Sequence, residues 1–290
     1  MHNLKKILVL TPGALGSTFF QKSLTTFLNF NNISTKNYHD LANFFTSLPT
    51  LINTLSNSKI SVIGRCSPLR SKDFKEDEET YYKFCNYFFT DIIVISRCSF
   101  ESALSYCASY YFDNIYSKNM YNEAHYRKRY KISDDLFVSA LEHFIEFEVW
   151  IDKYFPNHTT ISYNDLFKYT DDTFSKYFNI DYDTDLCLSS YNIFNFLRVR
   201  GLSIDNYSAK ELQDIIKTTD YLTFLAEKDL LYDMSSLPVK KITLNEKINT
   251  ITNFNKLLDR YNNYPSNHFR KVDKKELIIR AQEEDAFWLK

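Results

Sequence analysis

Ile7-Leu-Val-Leu-Thr-Pro-Gly-Ala-Leu-Gly-Ser-Thr-Phe-Phe-Gln21 is the stretch whose reading decides the fold. Ile7 to Leu10 form a short aliphatic run, Thr11 to Gly16 hold a proline and two glycines, and from Ser17 the apolar residues fall at helical spacing. Strand, turn and helix N-terminus therefore follow in direct succession. Gly13 and Gly16 permit backbone angles that alanine resists, and Ser17, Thr18 and Phe19 place free N–H groups at the helix start, an arrangement that binds an anion. A glycine turn that only joins a buried strand to a helix fits the same residues. The chain has just four glycines, Gly13, Gly16, Gly64 and Gly201, which makes their positions informative. Ser17 follows Gly16 with no Lys between them, so the G-x-x-x-x-G-K-[ST] ending of an ordinary P-loop NTPase is missing.

Outward from this unit, Ile60–Ile63, Ile92–Ile95 and Thr159–Ser162 predict further buried parallel strands, and Asn37-Tyr38-His39-Asp40 stands near the end of a candidate short one. Helical patterns separate them: from Gly16 to about Leu28, Leu41–Leu55, Glu76–Phe89, Ser99–Phe112 and Asp134–Tyr154. The last sets Leu136, Ala140, Leu141, Phe144, Phe147, Val149 and Ile151 around a broad apolar face. Alternating strands and helices predict an α/β fold, a parallel sheet flanked by helices. Beyond Tyr163 the pattern is helical, with Ser208–Lys217, Tyr221–Lys228, Leu244–Tyr261 and Lys274–Phe287. The expectation is one domain over residues 1–290, with a core to about 205 and additional C-terminal helices over about 206–290. Asp113–Ser133, rich in Tyr, Asn, Lys and Arg, reads as an irregular insertion bordering a substrate cleft.

At 290 residues and a formal net charge of −1, the chain can bury a sizeable core but carries no global field to attract nucleic acid or an anionic membrane. Any anion site must be built locally. Five cysteines with no C-x-x-C pair argue against a disulfide framework and a structural zinc site, and predict a reducing, cytoplasmic compartment without a metal. The apolar run at Ile7 ends after four residues, too short for a signal peptide or a membrane span.

The second motif is Arg97-Cys-Ser-Phe-Glu101-Ser-Ala-Leu-Ser105, at the end of the Ile92–Ile95 strand. An arginine at a strand's carboxyl end and a serine in the second turn of the next helix are placed to share a phosphate. An arginine on a loop ahead of an N-capping Ser99 is the plainer alternative. Taken together, Leu15–Phe19 and Arg97–Ser105 resemble the two cofactor motifs of the sulfotransferases that use 3′-phosphoadenosine 5′-phosphosulfate (PAPS), S-G-[ST]-T-[WF] and R-x-P-x-[DE]-x-x-x-S. Ile161-Ser-Tyr163-Asn-Asp-Leu166 resembles that family's Y-E-D-L segment, and Phe196-Leu-Arg198-Val-Arg200-Gly201 its late F-x-R-K-G element.

The resemblance, which spans Ile7 to Gly201, implies a P-loop NTPase-like fold of sulfotransferase type. It also implies that PAPS, or its product PAP, binds through Gly13, Ala14, Leu15, Gly16, Ser17, Thr18, Phe19, Arg97, Ser105, Tyr163, Arg198, Arg200 and Gly201. In that reading the glycine loop cradles the 5′-phosphosulfate, Arg97 and Ser105 grip the 3′-phosphate, Phe19 and Tyr163 lie at the adenine, and Arg198 or Arg200 closes over the 3′-phosphate. The activity implied is transfer of a sulfuryl group to a hydroxyl or amine of a small-molecule or glycan acceptor.

Two departures bear on catalysis. The family's loop carries a Lys or Arg where this chain has Ala14, and Arg65, after the Ile60–Ile63 strand and Gly64, is the candidate replacement cation. No His or Glu ends that strand, so His39, with Asp40 able to orient its ring, is the candidate base. Asp73, Glu76 and Glu79 are alternatives, although a solvated helix start fits them as well, and His125 belongs to the basic insertion, which reads either as a solvated loop or as a surface that attracts an anionic acceptor such as a sugar acid. Because of Ala14, a non-catalytic PAP-binding relative is the first rival reading, followed by a small-molecule P-loop kinase and by an interaction protein built on the same fold.

Overall fold

Runs of aliphatic residues that are too short for helices and lack polar alternation can satisfy their backbone only by pairing with one another, buried on both faces. The computed structural model, which describes residues 4–13, 17–30, 33–38, 41, 47–56, 59–68, 78–115, 128–163, 165, 174–177 and 243–288, has them in one sheet. In chain order the elements are β1 (Lys6–Leu10), α1 (Ser17–Phe30), β2 (Thr35–Tyr38), α2 (Leu48–Ser56), β3 (Ser61–Cys66), α3 (Glu78–Phe88), β4 (Asp91–Ser96), α4 (Ser99–Ile115), α5 (Asp134–Tyr154) and β5 (Thr159–Ser162). Three helices follow, α6 (Leu244–Thr250), α7 (Phe254–Asn262) and α8 (Lys274–Trp288).

The five strands run in the order β2-β3-β1-β4-β5 and every pairing is parallel. The chain is thus an α/β protein with a parallel sheet and flanking helices. β1 is central, and Ile7, Leu8, Val9 and Leu10 are completely buried. The outermost strands are more polar, with Lys36 exposed on β2 and Thr159 and Thr160 exposed on β5, as suits the edges of a sheet. From β1 the chain crosses toward β2, and from β4 toward β5 on the other side. The carboxyl ends of β1 and β4 therefore flank the point where connections diverge, the place at which open parallel sheets carry ligand crevices.

The chain divides into two compact units, Met1–Ser96 with Trp150–Leu231, and Arg97–Val149 with Tyr232–Lys290. In the first, the sheet is joined to a cluster in which the Tyr82 ring packs against Tyr81, Trp150, Tyr154 and Phe155 at centroid separations of 4.7–5.7 Å. Tyr82 donates its hydroxyl to Glu78 at 3.0 Å, and burial holds that hydroxyl far above the ordinary tyrosine value. On the β2 side, Gln21 and Thr25 lie one turn apart on α1, where Gln21 donates to the Tyr38 carbonyl and Asn37 donates to Thr25 Oγ1 at 2.9 Å. In the second unit Phe100 is the hub, meeting Phe137, Phe254 and Tyr261 at 5.3–6.0 Å.

The structure alters several of the expectations. β3 continues to Cys66, paired with β1 as far as Leu10↔Cys66, so Gly64 and Arg65 are strand residues instead of following the strand. A Cβ on Gly64 would meet Leu41 Cδ1 and Phe89 Cζ at 3.1 Å. This glycine makes room for core side chains and keeps no space for a ligand. Leu244–Tyr261 is two helices, because Ile251 takes an extended conformation and bridges Tyr130. Tyr130 donates to the Thr250 carbonyl and accepts from the Thr252 amide at 3.0 and 2.9 Å, while the Asn253 side chain pairs with both backbone groups of Ile132. The insertion begins later than Asp113, since α4 runs to Ile115. The expected helices Ser208–Lys217 and Tyr221–Lys228 lie outside the described residues. Among the described residues no helix is long and apolar enough to cross a membrane.

Candidate functional site

The turn after β1 is shaped by two residues. Gly13 has φ 93°, and an added Cβ there would meet nothing within 4 Å, so the requirement for glycine is conformational. Its amide donates to Thr11 Oγ1 at 3.0 Å, while the Thr11 amide donates to the Cys66 carbonyl at 3.2 Å. Thr11 thereby ties the turn to β3, and the Gly13 amide is spent on the turn itself. Ser17 opens α1 and is buried, and Thr18 and Phe19 occupy the same first turn. Arg65 on β3 donates from Nη1 to Ser17 Oγ at 3.4 Å. A guanidinium therefore stands at the positive end of a helix of 14 residues, where both the helix dipole and the cation favour an anion.

Tyr163 directly follows β5 and is only 7% exposed. Glu79 is an exposed residue in the first turn of α3, paired with Lys83 at 2.6 Å, which is the arrangement of a solvated helix start rather than of a base. His39, Ala14, Leu15, Gly16, Arg198, Arg200 and Gly201 lie outside the described residues, as do Asp73, Glu76 and His125.

In the second unit Arg97 and Ser105 are in direct contact. Arg97 donates from Nη1 to Ser105 Oγ at 3.1 Å, and its Nε lies 3.6 Å from Glu101 Oε2. The side chains of Arg97 and Glu101 are 4% and 7% exposed, so this is a buried pair. Its geometry follows from the helix: residues 97, 101 and 105 are spaced by four, which stacks them on one face of α4 and the turn before it.

Two residues that the motif does not contain complete the cluster. Lys247, on α6, donates from Nζ to Ser105 Oγ at 2.7 Å. Arg280, on α8, approaches Glu101 Oε1 with Nη1 at 3.1 Å. The Ser105 hydroxyl donates to the Glu101 carbonyl at 2.9 Å, so with Arg97 and Lys247 it gives one hydrogen bond and accepts two. That exhausts a hydroxyl. Ser105 consequently orients two cations, and has no proton left for a phosphate unless it releases the helix carbonyl.

Lys247 is 5% exposed. Burial, with the Arg97 charge adding to it, pushes its ammonium down to about 7, against the opposing pull of Glu101 and Glu246. Glu246 is engaged in a capping box with Thr243, each side chain meeting the other's backbone amide at 3.2 and 2.9 Å. Among the described residues the cluster thus brings Arg97, Lys247 and Arg280 together with the carboxylates of Glu101 and Glu246. A buried charge is costly unless it is paired or its proton leaves.

Sequence reasoning missed Lys247 and Arg280 because lysine and arginine on amphipathic helices are ordinarily counted as solvated. The spacing Leu244, Lys247, Thr250, Ile251 was the available signal, since it puts Lys247 on the buried face of α6. Among the described residues no group of three His, Cys, Asp or Glu side chains is arranged to hold a metal ion. Comparison of the chain with protein-family models, with curated proteins and with solved structures finds no match, so the functional reading rests on these residues.

Proposed function

We propose that this protein binds PAPS and its product PAP and acts as a sulfotransferase, moving a sulfuryl group to a hydroxyl or amine of a small-molecule or glycan acceptor, on a P-loop-like fold of sulfotransferase type. The observation that carries the reading is the buried Arg97–Ser105 contact, set among further cations. Two residues that the resemblance assigns to a 3′-phosphate stand in direct contact, with Lys247 on the same hydroxyl and Arg280 on Glu101. The parallel sheet with β1 at its centre and the Arg65–Ser17 contact at the head of α1 also support it.

The residues fit the cofactor's chemistry in kind: arginine guanidinia and a helix N-terminus are the groups that hold phosphate and sulfate. Within this reading Arg97, with Ser105 fixing its orientation, binds the 3′-phosphate. The α1 N-terminus, from Ser17 to Phe19, with the turn from Gly13 to Gly16, binds the phosphosulfate end. PAPS, when bound, supplies an activated sulfuryl group. Arg65 serves in place of the cation missing at Ala14, balancing negative charge that grows on the departing phosphate, a contribution worth roughly 3 kcal/mol of barrier. His39 removes the acceptor's proton, with its imidazole suited to do so near neutral pH. Tyr163, Arg198, Arg200 and Gly201 keep the roles the resemblance gives them.

A thermal-shift comparison of PAP, ATP and ADP tests the reading. Stabilisation by PAP, with a weaker response to ATP, is expected, whereas a preference for Mg-ATP would replace it with the kinase reading. Calorimetry then addresses the residue: Arg97→Ala weakens PAP binding by about 1.5–3 kcal/mol, the range of a charge-assisted contact. Unaltered affinity removes Arg97 from the site. The rival reading, a relative that binds without turnover, is favoured by Ala14 and is separated by measuring PAP release from PAPS across an acceptor panel.

A further inference from the structure

The Glu101 carboxylate stands between two arginines that come from opposite ends of the second unit. Its Oε2 lies 3.6 Å from Arg97 Nε and its Oε1 3.1 Å from Arg280 Nη1, so each oxygen faces a different guanidinium. A carboxylate can otherwise turn about its last bond and take one arginine with both oxygens. Arg280 on Oε1 opposes that rotation, and Glu101 meets Arg97 from the Oε2 side while Arg97 keeps Nη1 on Ser105 Oγ at 3.1 Å. The Arg97 and Glu101 side chains are buried, where such pairing is little screened by salt and water.

Arg280 is brought to Glu101 by the way α8 is seated. The Asp273 side chain accepts from the amides of Lys275 and Glu276 at 2.8 and 3.1 Å, which fixes the start of the helix. Leu277 and Ala281 are buried, and Arg280, three residues beyond the first and next to the second, belongs to the same side of the helix. Asn245 on α6 donates to Asp285 Oδ2 at 2.7 Å, tying α8 to the helix whose Lys247 reaches Ser105. The Arg280 side chain is itself 35% exposed, so it can be replaced without opening the core.

From this geometry we infer that Arg280 is a positioning residue for Arg97: by holding Oε1 of Glu101 it sets the angle at which Glu101 and Ser105 together present the Arg97 guanidinium. The contacts run from Arg280 to Glu101, from Glu101 to Arg97 and from Arg97 to Ser105, side chain to side chain. The C-terminal helices are in this way part of the site that Arg97 serves, and are more than a cover for the apolar face of α4. For the ligand that reads the placement, the 3′-phosphate of PAP, the inference rests on the function proposed above; the placement of Arg97 rests on these contacts alone.

NMR of the full chain, labelled with 15N at arginine, reads the placement with no ligand present. The Arg97 Nε–H signal, identified by its disappearance in Arg97→Lys, is expected to exchange slowly with solvent in the wild-type chain. In Arg280→Gln, with its fold checked by circular dichroism, the exchange should be faster by about tenfold or more. Calorimetry then reads the consequence. Arg280→Gln should weaken PAP binding by about tenfold, and Arg280→Lys, which keeps the charge without the planar fork, by less. Arg280→Gln added to Arg97→Ala should weaken it no further, because its effect passes through the Arg97 side chain. A residue that only seats α8 would cost the same in both backgrounds, and that result overturns the inference while the proposed function stands. An Arg97 signal unmoved by Arg280→Gln overturns it too, as does fast exchange in the wild-type chain, which needs no variant. If the wild-type chain does not bind PAP, faster exchange in Arg280→Gln still upholds the positioning of Arg97, and the PAPS reading alone is removed.

Discussion

Replacing Lys247 by Met keeps the length of the side chain and removes the ammonium, and its effect on stability must change with pH in one direction. In the unfolded chain the lysine titrates at its ordinary value of 10.5, and in the folded chain at about 7. Below pH 7 both states hold the proton, so the folded protein bears the full cost of burying it. Between the two values the unfolded state binds more protons, and the stability of the wild-type chain rises with pH. The slope for one group is at most about 1.4 kcal/mol per pH unit, and over this interval the ceiling is roughly 4–5 kcal/mol. Against that, Met forfeits the hydrogen bond to Ser105, about 1 kcal/mol. Lys247→Met is therefore expected to be more stable than wild type by up to about 3–4 kcal/mol at pH 6.5, and to lose the advantage by pH 9.5. Urea denaturation of both proteins at pH 6.5, 8 and 9.5, without added anion, measures the difference and cancels groups common to both. A difference that stays constant across those pH values refutes the burial argument for Lys247.

Arg65→Met removes the cation at the head of α1 and should slow conversion of PAPS to PAP by about 10²-fold or more while leaving the thermal midpoint nearly unchanged; an undiminished rate assigns the missing cation elsewhere. Gly64→Ala forces a methyl to within 3.1 Å of Leu41 and Phe89 and should destabilise the sheet by about 1–3 kcal/mol in denaturant titration. A neutral outcome means that Leu41 and Phe89 yield, and that the glycine is not a packing requirement. Cys107 is fully buried, donates toward the Leu136 carbonyl at 3.6 Å, and has its thiol pushed up to about 12 by burial. Iodoacetamide at pH 8 should alkylate the half-buried Cys98 and spare Cys107 in the native protein, as read by peptide mass spectrometry; equal labelling contradicts the packing of α4 on α5.

The strands were legible because their residues have no other use. Ile7–Leu10 and Ile92–Ile95 are apolar on both faces, which only a sheet interior accommodates, and the observed strands contain these runs and extend them by a residue or two. β3 ran past its apolar stretch because backbone pairing with β1, and not side-chain hydrophobicity, sets where a strand stops. The break between α6 and α7 was hidden for a related reason. Leu244, Lys247, Ile251, Phe254, Leu258 and Tyr261 keep helical spacing straight through it, and all are buried. The interruption lies in the β-branched run Thr250-Ile-Thr252 and in Asn253, whose amide substitutes for a strand neighbour of Ile132.

The same limit applies to the candidate site. Arg97, Glu101 and Ser105 were readable as one constellation because they belong to one helix face, where spacing alone predicts contact. Lys247 and Arg280 arrive from helices far along the chain, and no local pattern couples them to Ser105 or Glu101. What a sequence offers in such a case is an inconsistency: a lysine in register with Leu244 and Ile251 on a buried face. A charge held there is either expelled as a proton or matched by a partner. Glu101 is already shared by two arginines, so it cannot be the full match for Lys247 as well. Glu246 also acts on Lys247, and the pull of Glu101 and Glu246 against burial and the Arg97 charge sets whether the proton is held.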